Sequence, residues 1–329
     1  MRVVMADGHS FENESYDLIR DYLRERGIDF RVEQCRSEDE IIARCDDADG
    51  ILTVYAQMTA RVIASLPRCK VYVRCGIGFD AIDVEAASRQ GAAACNIPDY
   101  CIREVAAHTL AMILDFERKI TLLDRSVRRG KWNANEYFPS RRLASLTVGL
   151  IGFGSIARET ARVVRAIGMT PIAYDPFVED GVFASHGVER APFEVVLERS
   201  DYVSIHVPLT PDTHHLIDAK ALARMKPDAV LVNTARGSIV DQRALFEALR
   251  GGRLRGACLD VLEKEPPDLD DDILSLPNVL ITPHAAFSGR ESYRDLLMRV
   301  AETAAQVLYG ELPPNVLNRQ ALESRRPEK

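Results

Sequence analysis

Several apolar, β-branched runs in this sequence end in polar residues that could do chemistry. Tyr202–Val207 carries His206 and meets Pro208. Ala229–Asn233 runs into Thr234, Ala235, Arg236 and Gly237. Gly256–Leu259 ends at Asp260, with Glu263 and Glu265 soon after, and Val279–Ile281 runs into Pro283 and His284. Histidine, with an unperturbed pKa of about 6.5, can give or take a proton near neutral pH. A carboxylate beside it fixes its tautomer and favours the imidazolium. Arg236 offers a rigid fork of donors that can grip a carboxylate and polarise the adjacent carbonyl. An arginine, a carboxylate and a histidine together suit reduction of a 2-oxo acid. The residues alone leave alternatives open. His206 also reads as a satisfied core histidine, and Glu263 rivals Glu265. His214 and His215, which follow Pro211-Asp212-Thr213, read as surface or helix-start residues. No His/Cys/Asp set has zinc spacing, so no metal is expected.

A second feature supplies a partner for that chemistry. The run Val148-Gly149-Leu150-Ile151-Gly152-Phe153-Gly154-Ser155-Ile156-Ala157 follows a strand and opens a helix. Gly152 allows the tight turn, Gly154 lets the backbone approach a pyrophosphate, and Ala157 is small enough for helix and strand to pack. The amides at the helix start, Ser155 and Ile156, then face the anion. Asp175 lies 21 residues past Gly154, at the end of the next strand, where a carboxylate binds the ribose hydroxyls. It would repel a 2′-phosphate, and Pro176-Phe177-Val178-Glu179 brings no arginine to compensate. The expected cofactor is therefore NAD(H) rather than NADP(H).

Short apolar runs alternating with helical stretches position these groups, the pattern of parallel sheets with crossover helices. Strands are predicted at Arg2–Ala6, Phe30–Glu33, Ile51–Tyr55, Val71–Arg74 and Ala92–Asn96, with a helix at Ser15–Arg26 closed by Gly27. Ile97-Pro98-Asp99-Tyr100 reads as a hinge. A long helix is predicted over Ile102–Arg118, with Val105, Ala106, Thr109, Leu110, Ile113 and Leu114 as its apolar face. The basic stretch Arg125 to Arg142, which contains Trp132, reads as irregular and as a dimer contact or domain cover. A second series of six strands follows: Thr147–Ile151, Pro171–Tyr174, Tyr202–Val207, Ala229–Asn233, Gly256–Leu259 and Val279–Ile281. The helix between the first two ends near Ile167, capped by Gly168. In such a sheet, ligands bind at the carboxyl ends of the strands, where the polar residues converge. A further helix spans Arg290–Tyr309, Pro313-Pro314 follows, and Glu323–Lys329 is expected to be disordered.

Composition sets the limits. The chain has 329 residues, 47% of them hydrophobic and 28% charged, which suffices for two domains without staples. A net charge of −7 argues against a nucleic-acid surface. No apolar run approaches a membrane span, and the N-terminus lacks a signal-peptide core. The seven cysteines are odd in number, none has C-x-x-C spacing, and most sit in apolar runs. They read as reduced, buried thiols of a cytoplasmic protein. A nucleophilic Cys75, in the glycine-rich run Arg74-Cys-Gly-Ile-Gly78, is the sharper alternative, although the sequence places no base beside it.

These motifs resemble the D-isomer-specific 2-hydroxyacid dehydrogenase family. The matching stretches are Gly152-Phe-Gly-Ser-Ile-Ala157, Val207-Pro-Leu-Thr-Pro211, Asn233-Thr-Ala-Arg-Gly-Ser-Ile-Val-Asp241, Gly256-Ala-Cys-Leu-Asp-Val261 with Glu263-Lys-Glu-Pro266, Thr282-Pro-His-Ala-Ala286 and Arg74-Cys-Gly-Ile-Gly-Phe-Asp80. Asp99-Tyr-Cys-Ile-Arg-Glu-Val105, Ala285-Ala-Phe-Ser288 and Pro313-Pro-Asn-Val-Leu317 look most like the C-terminal-binding-protein-like branch. The resemblance implies an α/β fold of two Rossmann-like doubly wound domains with the active site in the cleft between them. A discontinuous substrate-binding domain would comprise residues 1–99 and 288–329, and an NAD-binding domain residues 100–287, through which the chain would form a homodimer. It implies that Arg236 binds and polarises the substrate, that His284 is the acid/base and that Glu265 is its carboxylate partner. Asp260 would contact the nicotinamide carboxamide. The backbone of Cys75, Gly76, Ile77 and Gly78 would hold the substrate carboxylate. The expected cofactor contacts are Gly152, Gly154, Ser155, Ile156 and Asp175, with His206, Val207, Pro208, Thr234, Ala235, Arg236, Asp260, His284 and Ala286 along the strand ends.

The sequence departs from the family pattern in two places. Ala157 replaces the third glycine, which the pattern tolerates, and Ala107 stands where the family has a glutamate on the interdomain helix. No regulatory amino-acid-binding domain is expected, which weighs against a serine-feedback-controlled phosphoglycerate dehydrogenase. The leading expectation is an NAD-dependent dehydrogenase running as a reductase of a small 2-oxo acid, such as glyoxylate, hydroxypyruvate or 3-phosphohydroxypyruvate. A second reading is an NAD-sensing interaction protein like the corepressors of the resembled branch, and a third is a relative that oxidises formate or phosphite on this fold. Substrate choice would depend on residues such as Tyr55, Gln57, Ile77 and Tyr100.

Overall fold

The computed structural model describes residues 1–8, 15–137 and 139–325. The chain separates into two compact units, Met1–Tyr100 with Gly289–Lys329, and Cys101–Ser288.

The first unit is built on strands β1 (Arg2–Met5), β2 (Asp29–Val32), β3 (Gly50–Thr53), β4 (Val71–Arg74) and β5 (Ala93–Cys95). They pair in the order β2-β1-β3-β4-β5, all parallel. Side chains alternate across the sheet, and both faces are covered. Val3, Met5, Leu52, Val71 and Val73 point to α1 (Ser15–Arg24) and to the returning helix α12 (Arg290–Leu308), which contributes Leu296, Leu297, Val300 and Ala304. Val4, Ile51, Tyr72 and Ala94 point to α2 (Glu38–Arg44), α3 (Ala60–Ser65) and α4 (Val84–Gln90). Each fully buried Leu or Val contributes roughly 2 kcal/mol. Helix α1 ends at Arg24, two residues short of the expected bound, and Gly27 (φ 66°) turns the chain into β2. Glu323 closes a short helix, α13 (Arg319–Glu323), so the expected disorder does not begin there; residues 326–329 lie outside the described part.

The second unit starts with α5 (Ile102–Arg118) and α6 (Ile120–Arg128), joined at Lys119, whose φ is 59°. The basic stretch is therefore helical as far as Arg128. Strands β6 (Thr147–Ile151), β7 (Thr170–Tyr174), β8 (Glu189–Arg190), β9 (Tyr202–Ile205), β10 (Val230–Asn233), β11 (Gly256–Leu259) and β12 (Val279–Ile281) form one parallel sheet, ordered β12-β11-β10-β9-β6-β7-β8. Strand β8 was not expected: its two residues are charged and exposed, so it carries no apolar signal. Helices α9 (Phe193–Arg199), α10 (Ala219–Arg224) and α11 (Gln242–Arg250) cover one face, while α5 and α7 (Ser155–Ala166) cover the other. The short helix α8 (Asp180–Ser185) brings Phe183 to that second face.

Helix α5 buries Val105, Ala106, Thr109, Met112, Ile113, Phe116 and Glu117, the stripe expected of a 3.6-residue period. Leu110 and Leu114, expected on that face, lie at its margin and are only half-buried. Fully buried Glu117 accepts the Tyr202 hydroxyl at 2.7 Å, Arg255 Nη1 at 2.8 Å and the Arg141 amide at 2.6 Å. Burial alone would raise its pKa, but the Arg255, Arg141 and Tyr202 donors outweigh burial and bring it to about 2.

Candidate active site

The glycine turn joins β6 to α7 at the point where strand order reverses, with β7 on one side of β6 and β9 on the other. Gly152 has φ 91°, and a Cβ there would stand 2.7 Å from the His206 carbonyl oxygen, so only glycine fits. A Cβ on Gly154 would meet nothing within 4 Å, which leaves room beside the helix start. No side chain caps the first turn of α7, and Ala157 packs fully buried beneath it. Uncapped amides facing open space suit the pyrophosphate of a dinucleotide. Asp175 accepts the Phe153 amide at 2.8 Å through one carboxylate oxygen and the Phe177 amide at 2.9 Å through the other. It thereby braces the turn. An arginine does stand near: Arg190, at the end of β8, donates to the Asp175 carbonyl at 3.1 Å and pairs with Asp180. It comes from the neighbouring strand, out of reach of a local reading.

The loops after β9, β10, β11 and β12 occupy the same edge of the sheet. His206 Nε2 lies 2.9 Å from Ser204 Oγ, and burial lowers its pKa to about 4. It is a neutral, satisfied imidazole whose backbone walls the glycine turn, so the proton-transfer alternative at His206 closes. Val207 packs half-buried on the core below, and the Pro208 carbonyl takes the Thr213 hydroxyl at 2.6 Å. After β10, the Asn233 side chain folds the turn, donating to the Arg236 carbonyl at 2.8 Å and accepting the Ala235 amide at 3.0 Å. The Thr234 and Thr109 hydroxyls lie 3.1 Å apart, which ties this turn to α5. Arg236 donates Nη1 to the Ala235 carbonyl at 2.8 Å.

His284 and Glu265 form the centre of the site. Nδ1 of His284 lies 2.6 Å from Glu265 Oε2, and Glu265 Oε1 takes the Leu262 amide at 3.0 Å. Burial pushes the Glu265 pKa up, but the bond to His284, the Leu262 amide and the charge of Arg236 overcome it, so the pKa is lowered overall. Glu265 is thus ionised, fixes the imidazole through Nδ1 and turns Nε2 away from itself. The His284 backbone is left-handed, with φ 52°. Its amide donates to the Asp260 carbonyl at 2.8 Å. The Asp260 carboxylate, 2% exposed, takes the Thr282 hydroxyl at 2.5 Å and the Ala285 and Ala286 amides at 2.9 Å each. Asp260 therefore shapes the turn that presents His284, and the Ala286 amide is spent on it.

Sequence reasoning missed His108 and Thr282. Nε2 of His108, on α5, lies 3.0 Å from Thr282 Oγ1 and 3.5 Å from Asp260 Oδ1, which completes the support under the His284 turn. Among the described residues no group of three or more His, Cys, Asp or Glu could hold a metal ion.

In the first unit, the Cys75 side chain is buried and burial pushes its thiol well up, so the nucleophile reading fails. The amides of Cys75 and Gly76 are not open either. They donate to the Thr53 carbonyl at 2.7 Å and the Arg74 carbonyl at 2.9 Å. Ile77 and Gly78 follow half-buried, with the Ile77 carbonyl held by Asn96 Nδ2 at 2.6 Å. Tyr55 is 51% exposed, whereas Tyr100 packs against the core. Asp7, also missed, is buried at the end of β1 and takes the amides of Val54, Tyr55 and Ala56. Its signal was the one used elsewhere, a polar residue closing an apolar strand. All seven cysteines are free and buried, and no described helix is long and apolar enough to cross a membrane.

Comparison with known proteins bears on this geometry. The family model for the D-isomer specific 2-hydroxyacid dehydrogenase NAD binding domain matches residues 110–286, more than half the chain. The glyoxylate reductase of Korarchaeum cryptofilum is 37% identical over 296 residues, which cover 88% of this chain and 89% of that protein. The D-3-phosphoglycerate dehydrogenase of Methanocaldococcus jannaschii is 39% identical over 285 residues, 86% of this chain but 54% of that protein, so the chain spans about half its length. Among solved structures, the D-lactate dehydrogenase of Aquifex aeolicus, complexed with NAD and lactic acid, superimposes with a TM-score of 0.84 at 27% identity over 100% of both chains. The glycine turn, the strand-end residues and these relatives agree: the chain belongs to the D-isomer-specific 2-hydroxyacid dehydrogenase family and is an NAD-dependent oxidoreductase.

Proposed function

We propose that the chain reduces a small, unbranched 2-oxo acid, with glyoxylate and hydroxypyruvate as the first candidates and 3-phosphohydroxypyruvate as the third. The Arg236 guanidinium grips the substrate carboxylate and polarises the 2-oxo carbonyl. NADH, once held by the glycine turn and the strand-end residues, would supply the hydride. His284 Nε2 gives its proton to the carbonyl oxygen as the alkoxide forms, and ionised Glu265 holds the ring in the productive tautomer throughout. Gly152, Gly154, Ser155 and Ile156 would hold the pyrophosphate and Asp175 the adenosine ribose. Thr234, Ala235 and the His206–Pro208 turn would line the rest of the cofactor. Ile77 and Gly78 would add backbone donors for the substrate carboxylate.

The observation that carries this reading is the 2.6 Å contact between His284 and Glu265, with the charge of Arg236 acting on the same carboxylate. The named activities of the relatives favour turnover over a corepressor role. The test is NADH consumption by purified protein with a panel of 2-oxo acids ranked by kcat/KM. NADH binding without oxidation by any member overturns the proposal.

Two further points belong to this reading. Homodimerisation through the second unit is supported by an exposed apolar set, Ile120 (59% exposed), Val127 (47%) and Trp132 (90%), on and just after α6. A cytoplasmic location is supported by seven unpaired thiols.

A further inference from the structure

Among the described residues, three other than glycine hold a left-handed backbone: Lys119, His215 and His284. Lys119 is the joint between α5 and α6, and His284 carries the reacting imidazole. His215 remains to be explained, since such strain persists only where the surroundings impose it. It is neither a helix-start nor a freely exposed residue. It sits half-buried in the turn after β9.

The His215 amide donates to the Ser238 carbonyl at 2.9 Å, two residues past Arg236. Nearby, the Ile217 amide donates to the Ile239 carbonyl at 3.0 Å, and the Asp241 amide donates back to the Ile217 carbonyl at 3.1 Å. The turn is thus stitched to the Arg236 loop. The His215 ring reaches a different loop, with Nε2 2.6 Å from Glu263 Oε1. Glu263 stands two residues before Glu265, and its amide donates to Gln242 Oε1 at 3.1 Å. The two loops also touch directly. A Cβ on Gly237 would stand 1.9 Å from the Leu262 carbonyl carbon. The two side chains are 38% and 34% exposed, and a contact so placed adds little to stability. Its worth lies in geometry.

We propose that His215 and Glu263 are a positioning pair that fixes the separation of Arg236 from Glu265 and His284, and so sets turnover without touching substrate or cofactor. This rests on the functional reading given above for those three residues. Through the turn that carries His215, the pair joins the Arg236 loop to the loop that carries Glu265, the carboxylate partner of His284, beside the bond from the Glu263 amide to Gln242 Oε1.

The test uses the full chain with Glu263→Ala, Glu263→Gln and His215→Asn. Asparagine tolerates the left-handed backbone but is too short to reach Glu263, so it removes the bond and keeps the turn. Glu263→Ala and His215→Asn should each lower kcat roughly tenfold on the best 2-oxo acid. KM and the Kd for NADH should stay within about twofold. Glu263→Gln keeps an acceptor for Nε2–H and should restore most of kcat. Amide hydrogen exchange across 236–241 and 260–266 should quicken in the first two variants and not in Glu263→Gln. Unchanged kcat and exchange, or a Glu263→Gln as damaged as Glu263→Ala, overturns the proposal. A wild type inactive on every acid overturns the functional reading instead, and the exchange result then decides this one.

Discussion

His284 and Glu265 stand 19 residues apart in sequence and 2.6 Å apart in space, on the loops that follow the paired neighbouring strands β12 and β11. Because Glu265 is held below the ordinary carboxylate range, its charge persists into mildly acidic solution. Glu265→Gln should lower kcat on the order of 10²-fold, with the Kd for NADH unchanged. Steady-state kinetics with fluorescence titration of NADH will read both.

Arg236 is a fork, and a lysine is not. Arg236→Lys keeps the charge but loses the paired donors, so kcat/KM for the 2-oxo acid should fall roughly 10- to 100-fold. Most of that loss should appear in KM. Saturation curves across the acid panel are the measurement.

Asp175 braces the glycine turn and offers its charge where a 2′-phosphate would lie. Asp175→Ser should raise the ratio of NADPH to NADH kcat/KM by about 100-fold, the scale of a removed like-charge clash. Arg190 is held by the Asp175 carbonyl and by Asp180, so the gain comes from removing the carboxylate rather than from a new arginine contact.

Glu117 predicts a pH dependence of stability. Its pKa is depressed to about 2 in the folded chain from 4.5. Its contribution is therefore fully present above pH 4.5 and drains away as pH falls toward 2. The linkage amounts to about 3 kcal/mol at neutral pH. Glu117→Gln should lose stability at pH 7 in urea unfolding, and its gap from the wild type should narrow as the solution is acidified.

Trp132 is 90% exposed in the single chain. Trp132→Glu should shift the protein to monomer in light scattering if the apolar surface around α6 is the dimer contact. Unfolding of the monomer by urea should remain cooperative.

The inner strands were legible because both sheets are covered on two sides, which makes those strands mostly apolar runs. Strand β8 escaped because Glu189 and Arg190 bury nothing. Arg236 and His284 were legible as polar residues placed at strand ends in a matching series, whereas Glu265 was separated from its rival Glu263 only by the family resemblance. The residues that support them were not. His108 meets Thr282 across 174 residues of chain, and His215 meets Glu263 across 48, distances at which no local pattern survives. The amides of Cys75 and Gly76 were misjudged because the sequence does not show which carbonyls take them. Glycine permits an open backbone, but here the neighbouring strand takes the Cys75 N–H through Thr53 and the local turn takes the Gly76 N–H through Arg74.

Helix α12 has a bearing on how the chain comes off the ribosome. The second unit is completed by residue 288, while the sheet begun at residue 2 waits for Leu296, Leu297 and Val300 to roof one of its faces. Through that interval Val3, Met5, Val71 and Val73 have only α1 to shelter them. A fragment stopped at Tyr100 would expose that bare face and precipitate, whereas a permuted gene that encodes 289–325 ahead of residue 1 would deliver the roof first.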